Sequence, residues 1–326
     1  MEDRGSTLGG LVRKYGDFSL ACSLAQPRLR FHGDEYGGLC YDEHKSYGNA
    51  TRLVLGEPLA DAERWERILV GFLNQSEDVV FLNVGETFAR ILKRYGFYAN
   101  CIGWEALLDL TTYEFSGPKK QNIRNAVRRC EANGYTIQEV EPTSEEWLEV
   151  DSVSQDWLSR KSLSRPENRL ITQPLLRANM GQRVFAMRDS RTEIVHFITI
   201  DEMWKDGTLL GYHSNINRGV ATSPKNADYA IHAHIINQLK REKVGLFSLG
   251  LCPDMGWMRD SKSENIYLAI ALLTGAKLGS GIYNLSGIST HKAAFRPDTK
   301  RPVFVATSRP WPIASLARTL SAMNLI

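Results

Sequence analysis

The feature that most restricts this chain is an alternation of short apolar runs with longer stretches whose apolar residues recur at spacings of three and four. Leu39 to Tyr41, Arg52 to Leu55, Val79 to Val84 and Glu105 to Leu110 have the length and composition of strands. Between them, Trp65, Ile68, Leu69 and Phe72 line one face of a helical pattern that follows the turn Gly56-Glu57-Pro58, with Asp61 as a candidate cap. A second helical pattern covers 87–95 and is stopped by Gly96. A β-α-β-α-β order of this kind excludes all-helical and all-β folds and predicts layers of helix on sheet.

The order then returns. A basic helix at 119–132 leads to a strand over Thr136 to Val140 and an amphipathic helix over Ser144 to Leu158, with Ser144 as its cap. Arg183 to Met187 and Ile194 to Asp201 read as a hairpin about Asp189-Ser190, and Leu209 to Ser214 as the next strand. The longest helical pattern, Ala227 to Lys240, carries Ala230, Ile231, His234, Ile235 and Leu239 on one side and precedes a strand at Leu246 to Leu249. With 326 residues the chain exceeds the size at which a single core stops growing. We therefore expect two α/β modules: 16–115, then a connecting basic helix and strand over 116–140, then 141–326. Residues 1–15, with Gly5, Gly9 and Gly10, read as a flexible leader.

Several function classes drop out. No apolar run reaches the roughly 18 residues that span a bilayer; Tyr267 to Thr274 is too short and gives way to Gly275 and Lys277. The first ten residues lack the apolar centre of a secretory signal, which places the chain in the cytoplasm. Cys22, Cys40, Cys101, Cys130 and Cys252 are scattered without a C-x-x-C pair, and His232 and His234 are two apart, so neither disulfides nor a metal site is expected. No phosphate-loop, dinucleotide or serine-elbow motif occurs, Gly275, Gly279 and Gly281 lack the spacing of such a loop, and no cofactor is implied. The net charge of +3 is too small for a dedicated polyanion binder, so any such contact has to come from local clustering.

One segment has that clustering. From Phe115 to Arg129 the chain carries Lys119, Lys120, Arg124, Arg128 and Arg129, with Ile123, Ala126, Val127 and Cys130 as the inward stripe. Lys119, Lys120 and Arg124 sit on the first turns, where unsatisfied N–H groups add positive potential, so phosphate is the natural partner. A simply solvated cationic face has the same composition.

The segment Gly117-Pro118-Lys119-Lys120-Gln121-Asn122-Ile123-Arg124, closed by Gly134-Tyr135, resembles a signature of the C-terminal catalytic domain of bacterial phosphatidylglycerol lysyltransferases. Leu53 to Pro58, Tyr95-Gly96-Phe97, Trp157-Leu158, Phe247 to Pro253 and Tyr283 to Phe295 are similar to further stretches of that family in the same order, so the resemblance covers about residues 16 to 306. It implies an α/β fold of two tandem acetyltransferase-like (GNAT) modules with mixed sheets. It also implies an aminoacyltransferase whose donor is aminoacyl-tRNA, with no acyl-CoA.

The family's aminoacyl-binding D-x-x-R element falls on Asn215 and Arg218, so the arginine remains while the carboxylate has become an amide, and a neutral or smaller aminoacyl group is expected. Asn215, Arg218 and Lys292 are the expected substrate contacts. Asp228 matches an acidic family position at the start of the long helix; Lys292 matches the first of two lysines, the second being Ala294. His213 is added on chemical grounds as general base, giving His213, Arg218 and Asp228 as catalytic candidates. Lys119, Lys120, Arg124, Arg128 and Arg129 are the expected tRNA contacts.

The chain is read here as a stand-alone domain, without the long membrane-spanning region expected ahead of it in lipid-modifying members. The expected acceptor is therefore the amine, hydroxylamine or hydroxyl of a small soluble molecule, as in natural-product biosynthesis, with a phospholipid head group at a membrane surface, or a non-catalytic tRNA- or lipid-binding role, as the alternatives. Trp311 to Leu320 has the pattern of an interfacial helix but a single cation, so packing against the protein itself is expected.

Overall fold

The computed structural model describes residues 4–46, 49–74, 78–141, 145–160, 181–253, 265–269 and 285–323. Ser144, the glycines at 275, 279 and 281, and the start of the Tyr283 to Phe295 motif lie outside the described residues.

The first half contributes strands β1 (Arg30–Asp34), β2 (Gly37–Ser46), β3 (Asn49–Leu55), β4 (Val79–Gly85) and β5 (Tyr98–Asp109), with helices α1 (Arg4–Tyr15), α2 (Trp65–Leu73) and α3 (Glu86–Arg94). The second contributes α4 (Gln121–Ala132), β6 (Thr136–Val140), α5 (Glu146–Ser159), β7 (Gln182–Arg188), β8 (Ile194–Lys205), β9 (Thr208–Gly219), α6 (Ala227–Arg241) and β10 (Leu246–Pro253). Helix α7 (Leu285–Ala294), strand β11 (Thr299–Thr307) and helix α8 (Ile313–Ala322) complete it. The α/β class with a mixed sheet, expected from the alternation, is the class observed.

The eleven strands of the described residues join one sheet in the order β1-β2-β3-β4-β11-β5-β10-β9-β8-β7-β6. Each half has one parallel pair bridged by a helix: β3 and β4 with α2 between them, β9 and β10 with α6 between them. The last strand of each half then crosses over. β5 pairs antiparallel with β10 of the second half, and β11 pairs antiparallel with both β4 and β5. The basic segment thus divides the sequence, yet the sheet runs through without a break.

Four apolar clusters flank the sheet, the largest joining α4 and α6 to the faces of β5, β7, β8, β9 and β10 through Ala106, Leu108, Phe185, Ile200, Ile231 and Phe247. Helix α4 forms because Ile123, Ala126 and Cys130 fall on one buried stripe, and it ends at Gly134, whose φ of +76° lets Tyr135 N–H return to the Cys130 carbonyl at 3.0 Å.

Two expectations change. The leader is no leader: α1 buries Leu8, Leu11 and Val12, and its end is bound to the β8–β9 hairpin by Asp206 N–H to Lys14 O at 2.8 Å and Gly207 N–H to Arg13 O at 3.0 Å. The i, i+3, i+4 stripe was there in the sequence, obscured by three glycines. Asp61 precedes a short 3₁₀ turn without capping it through its side chain, and accepts instead from the Tyr15 hydroxyl at 3.0 Å.

Helix α8 packs on its own chain, as expected. Asp78, a buried carboxylate ahead of β4, accepts from Thr51 Oγ1 at 2.6 Å, Ser315 Oγ at 2.9 Å and Arg318 Nη2 at 2.7 Å. Trp311 and Ile313 stay exposed at its start.

Candidate functional site

The central strands turn one face to the α4/α6 core; on the other, Val184, Ala186 and Phe197 pack under α5, and a row of polar side chains lies beside them. Gln182 on β7 lies opposite Asp201 on β8, Asp201 opposite His213 on β9, and His213 opposite Ser248 on β10. Directly paired residues share a face of the sheet, so these four make one polar rung, and all four are buried.

His213 and Lys292 meet at the β10 bulge. Gly250 there has φ +78°, and a β-carbon in its place would lie 2.6 Å from His213 Cε1 and 3.3 Å from Lys292 Nζ. Only glycine lets the imidazole and the ammonium share this nook. Burial, with the Lys292 charge beside it, pushes the His213 pKa down to about 3, and its Nδ1 is buried without a hydrogen-bond partner among the described residues. Lys292 donates to the Leu251 carbonyl at 2.9 Å, and the enclosure of its ammonium pushes its pKa down to about 8. At neutral pH the pair is therefore a neutral imidazole with a free acceptor nitrogen beside a mostly charged ammonium.

Asn215 turns its amide onto Asp201, with Nδ2 at 2.5 Å from Oδ2, while Gln182 Nε2 holds the other oxygen at 3.1 Å. Burial pushes Asp201 up to about 6 despite these bonds. Arg218 lies farther along β9 under α5, buried, with Nη1 at 2.5 Å from Ser154 Oγ and its guanidinium 5.1 Å from the centre of the Trp157 ring.

Asp228 sits across the sheet. Ser214 follows His213 on β9 and so points the other way, where its Oγ lies 3.0 Å from His232 Nε2; His232 Nδ1 in turn lies 2.8 Å from the Asp228 carbonyl. The Asp228 carboxylate is 3.0 Å from His291 Nδ1. The structure thus joins His213 with Lys292 and places Asn215 in the same rung, while Arg218 and Asp228 stand apart from that nook. His232, buried in this arrangement, and His234, beside the Phe185 ring, do not converge. Among the described residues no group of His, Cys, Asp or Glu side chains is arranged to hold a metal.

The basic segment also divides. Lys120 donates to the Glu114 carbonyl at 2.6 Å and lies 3.5 Å from the centre of the Tyr113 ring; Arg124 donates to the Phe115 and Gly117 carbonyls at 2.6 and 2.7 Å. These two cations hold down the loop that enters α4. Lys119, Arg128 and Arg129 are exposed.

Sequence reading missed a neighbouring network. Ser248 Oγ donates to Glu105 Oε1 at 2.7 Å, and Arg301 pairs with Glu105 Oε2 at 3.3 Å. Burial, with Asp17 nearby, pushes Glu57 up to about 7. A glutamate inside the apolar run Trp104 to Leu108, and an aspartate ending the run Ile194 to Ile200, were the available signals.

Among proteins with similar sequence, the phosphatidylglycerol lysyltransferase of Bacillus subtilis is 23% identical over 272 residues, which is 77% of this chain and 29% of that protein. The enzyme of the same name from Staphylococcus xylosus is 28% identical over 100 residues, 29% of this chain and 12% of its own length. The chain thus spans less than a third of either relative. The solved L-PGS structure from Bacillus licheniformis superimposes with a TM-score of 0.79 at 21% identity, covering 100% of this chain and 97% of that one. The C-terminal domain of a putative lysylphosphatidylglycerol synthetase from Agrobacterium fabrum gives 0.75 at 19% identity over 97% and 96%. FemX, at 0.56 and 8% identity over 98% and 99%, has the same overall fold. No helix among the described residues is long and apolar enough to cross a membrane. The model of the C-terminal region of phosphatidylglycerol lysyltransferases matches residues 39–307, and the chain belongs to that family.

Proposed function

We propose that this chain moves an aminoacyl group from aminoacyl-tRNA to a hydroxyl or amine acceptor, without a covalent enzyme intermediate. The observation that carries the reading is the His213–Lys292 nook, a neutral imidazole with an unpartnered Nδ1 beside a cation in a buried polar rung of a family fold. In the reaction the acceptor oxygen or nitrogen bonds to the ester carbonyl carbon, and the bond from that carbon to the ribose oxygen breaks. The acceptor's proton passes through His213 to the departing ribose oxygen. An imidazole held near pKa 3 does not keep that proton, so it acts as a relay within one step. Lys292 faces the carbonyl oxygen as negative charge develops, an interaction of about 3 kcal/mol in such sites. Lys119, Arg128 and Arg129 offer the exposed charge for the tRNA backbone, with Lys120 and Arg124 shaping the loop beneath it.

For the acceptor we favour the head-group hydroxyl of a phosphatidylglycerol-like lipid, the substrate named for the relatives. Tyr267 and Trp311 stack at 3.8 Å on the surface, with Ile266 and Ile313 exposed by 61% and 64% beside them in sequence, a composition suited to a membrane interface. A small soluble amine, hydroxylamine or alcohol is the competing acceptor. The test is transfer of labelled amino acid from charged tRNA to phosphatidylglycerol vesicles and, separately, to soluble acceptors. RNase-sensitive labelling of the lipid supports the reading, labelling of the soluble compounds alone selects the competing acceptor, and equal labelling from acyl-CoA refutes a tRNA donor.

A further inference from the structure

The polar rung is short of donors. Asp201 carries a buried carboxylate, 1% exposed, whose hydrogen bonds come from the amides of Gln182 and Asn215. No cation forms an ion pair with it among the described residues, and its nearest charged influence is the like charge of Glu202. On one side Gln182 keeps Oε1 buried and without a partner; on the other His213 keeps Nδ1 in the same condition. With the His213 nitrogen taken by the acceptor's proton, two acceptors remain side by side on β7 and β8, the unsatisfied Gln182 oxygen and the Asp201 carboxylate, in a place that solvent does not reach. Each unsatisfied buried acceptor is costly, and a buried carboxylate without a cation more so. The group that answers both at once is a primary ammonium, with one positive charge and N–H donors to spare.

We infer that Gln182 and Asp201 form the subsite for the free α-ammonium of the aminoacyl group, with Asn215 orienting the Asp201 carboxylate and His213 left for the acceptor's proton. This deepens the transferase reading and rests on it. The anionic charge that reads the amine is then on β8, one strand away from the β9 position where the sequence carries Asn215, and the loss of a carboxylate at that position does not remove the charge from the site.

The test compares two donors made from one pool of labelled charged tRNA, half of it deaminated with nitrous acid so that each α-amine becomes a hydroxyl. The wild-type chain is expected to prefer the amine donor by about a hundredfold in kcat/KM, the factor expected for hydrogen bonds to a charged group. Asp201→Asn, which keeps size but removes the charge and turns one accepting oxygen into a donor, is expected to bring that preference to within a few-fold. Gln182→Met removes one acceptor and one of the two amide donors to Asp201 while keeping the carboxylate charge, and is expected to lower the preference by a smaller factor, which keeps the inference testable if Asp201→Asn does not fold. A purely structural role would change stability and leave the ratio alone. Full preference in a folded Asp201→Asn chain, or in Gln182→Met where that variant alone folds, overturns the inference and leaves the transferase reading standing. Absence of transfer from either donor by the wild-type chain overturns the transferase reading itself.

Discussion

Replacing Gly250 by alanine tests whether the His213–Lys292 nook depends on the missing side chain. The backbone there has φ +78°, a region that costs an L-residue about 1–2 kcal/mol. The new β-carbon would stand 2.6 Å from His213 Cε1 and 3.4 Å from His213 Nδ1, so the imidazole has to move within a packed sheet face, at roughly 1–3 kcal/mol more. The sum is about 2–5 kcal/mol. Gly96 supplies the control: its φ is +84°, yet no heavy atom lies within 4 Å of where a β-carbon would go. Gly96→Ala should therefore show the conformational strain alone, about 1–2 kcal/mol. Urea denaturation of both variants isolates the steric part as their difference, and transfer assays should show turnover lost in Gly250→Ala but kept in Gly96→Ala. Equal stability of the two variants, with full turnover in both, would refute the assignment of His213 and Lys292 to one crowded site.

Asp78→Ala removes the acceptor shared by Thr51, Ser315 and Arg318 and strands a partly buried guanidinium, so it should lower stability by about 3–5 kcal/mol in denaturant titrations. Removing Lys119, Arg128 and Arg129 should weaken tRNA binding and flatten its log–log salt dependence by roughly one unit for each phosphate no longer neutralised, whereas Arg124→Ala should mainly loosen the loop at Phe115 and Gly117, at about 1–2 kcal/mol. The native pKa values of His213 and His291 lie near 3 and that of His232 is also depressed, so between pH 6.5 and 3 the unfolded chain takes up protons that the native chain refuses. Glu57 and Asp201, raised to about 7 and about 6, act the other way, protonating first in the native state. Three histidines against two carboxylates leave stability falling as the pH drops below about 6, which urea midpoints at a series of pH values would measure.

The elements were legible where local periodicity decides them. The stripe Ile123, Ala126, Cys130 gave α4, and the hairpin of β7 and β8 followed from two short apolar runs about Asp189. Strand order was not legible, because β5 and β11 exchange places between the halves and pairing of residues nearly 200 positions apart leaves no periodic trace. The cations of the basic segment were recognised as a group, but whether each side chain turns outward or bonds to the loop carbonyls, as Lys120 and Arg124 do, depends on a turn at Gly117 that composition does not specify. His213 and Lys292 were singled out separately; Gly250, which brings them together, was not.

A cross-strand rung that is polar and yet buried is the physical reason to place chemistry here. On β7 to β10 the residues pointing toward α4 and α6, such as Phe185, Ile200, Tyr212 and Phe247, form an ordinary apolar core, and the alternate residues Gln182, Asp201, His213 and Ser248 would in a half-solvated sheet point into water. They are instead as buried as the core. Burying that many polar groups costs about 1–3 kcal/mol for each left unpaired, and the chain offsets part of it internally through Ser248 with Glu105 and Asn215 with Asp201. What stays unpaired is uniform in kind: Gln182 Oε1 and His213 Nδ1 are both acceptors. The Gln182 oxygen, beside a carboxylate that no described cation pairs with, is complementary to a positively charged donor, while His213 Nδ1 is left for the acceptor's proton.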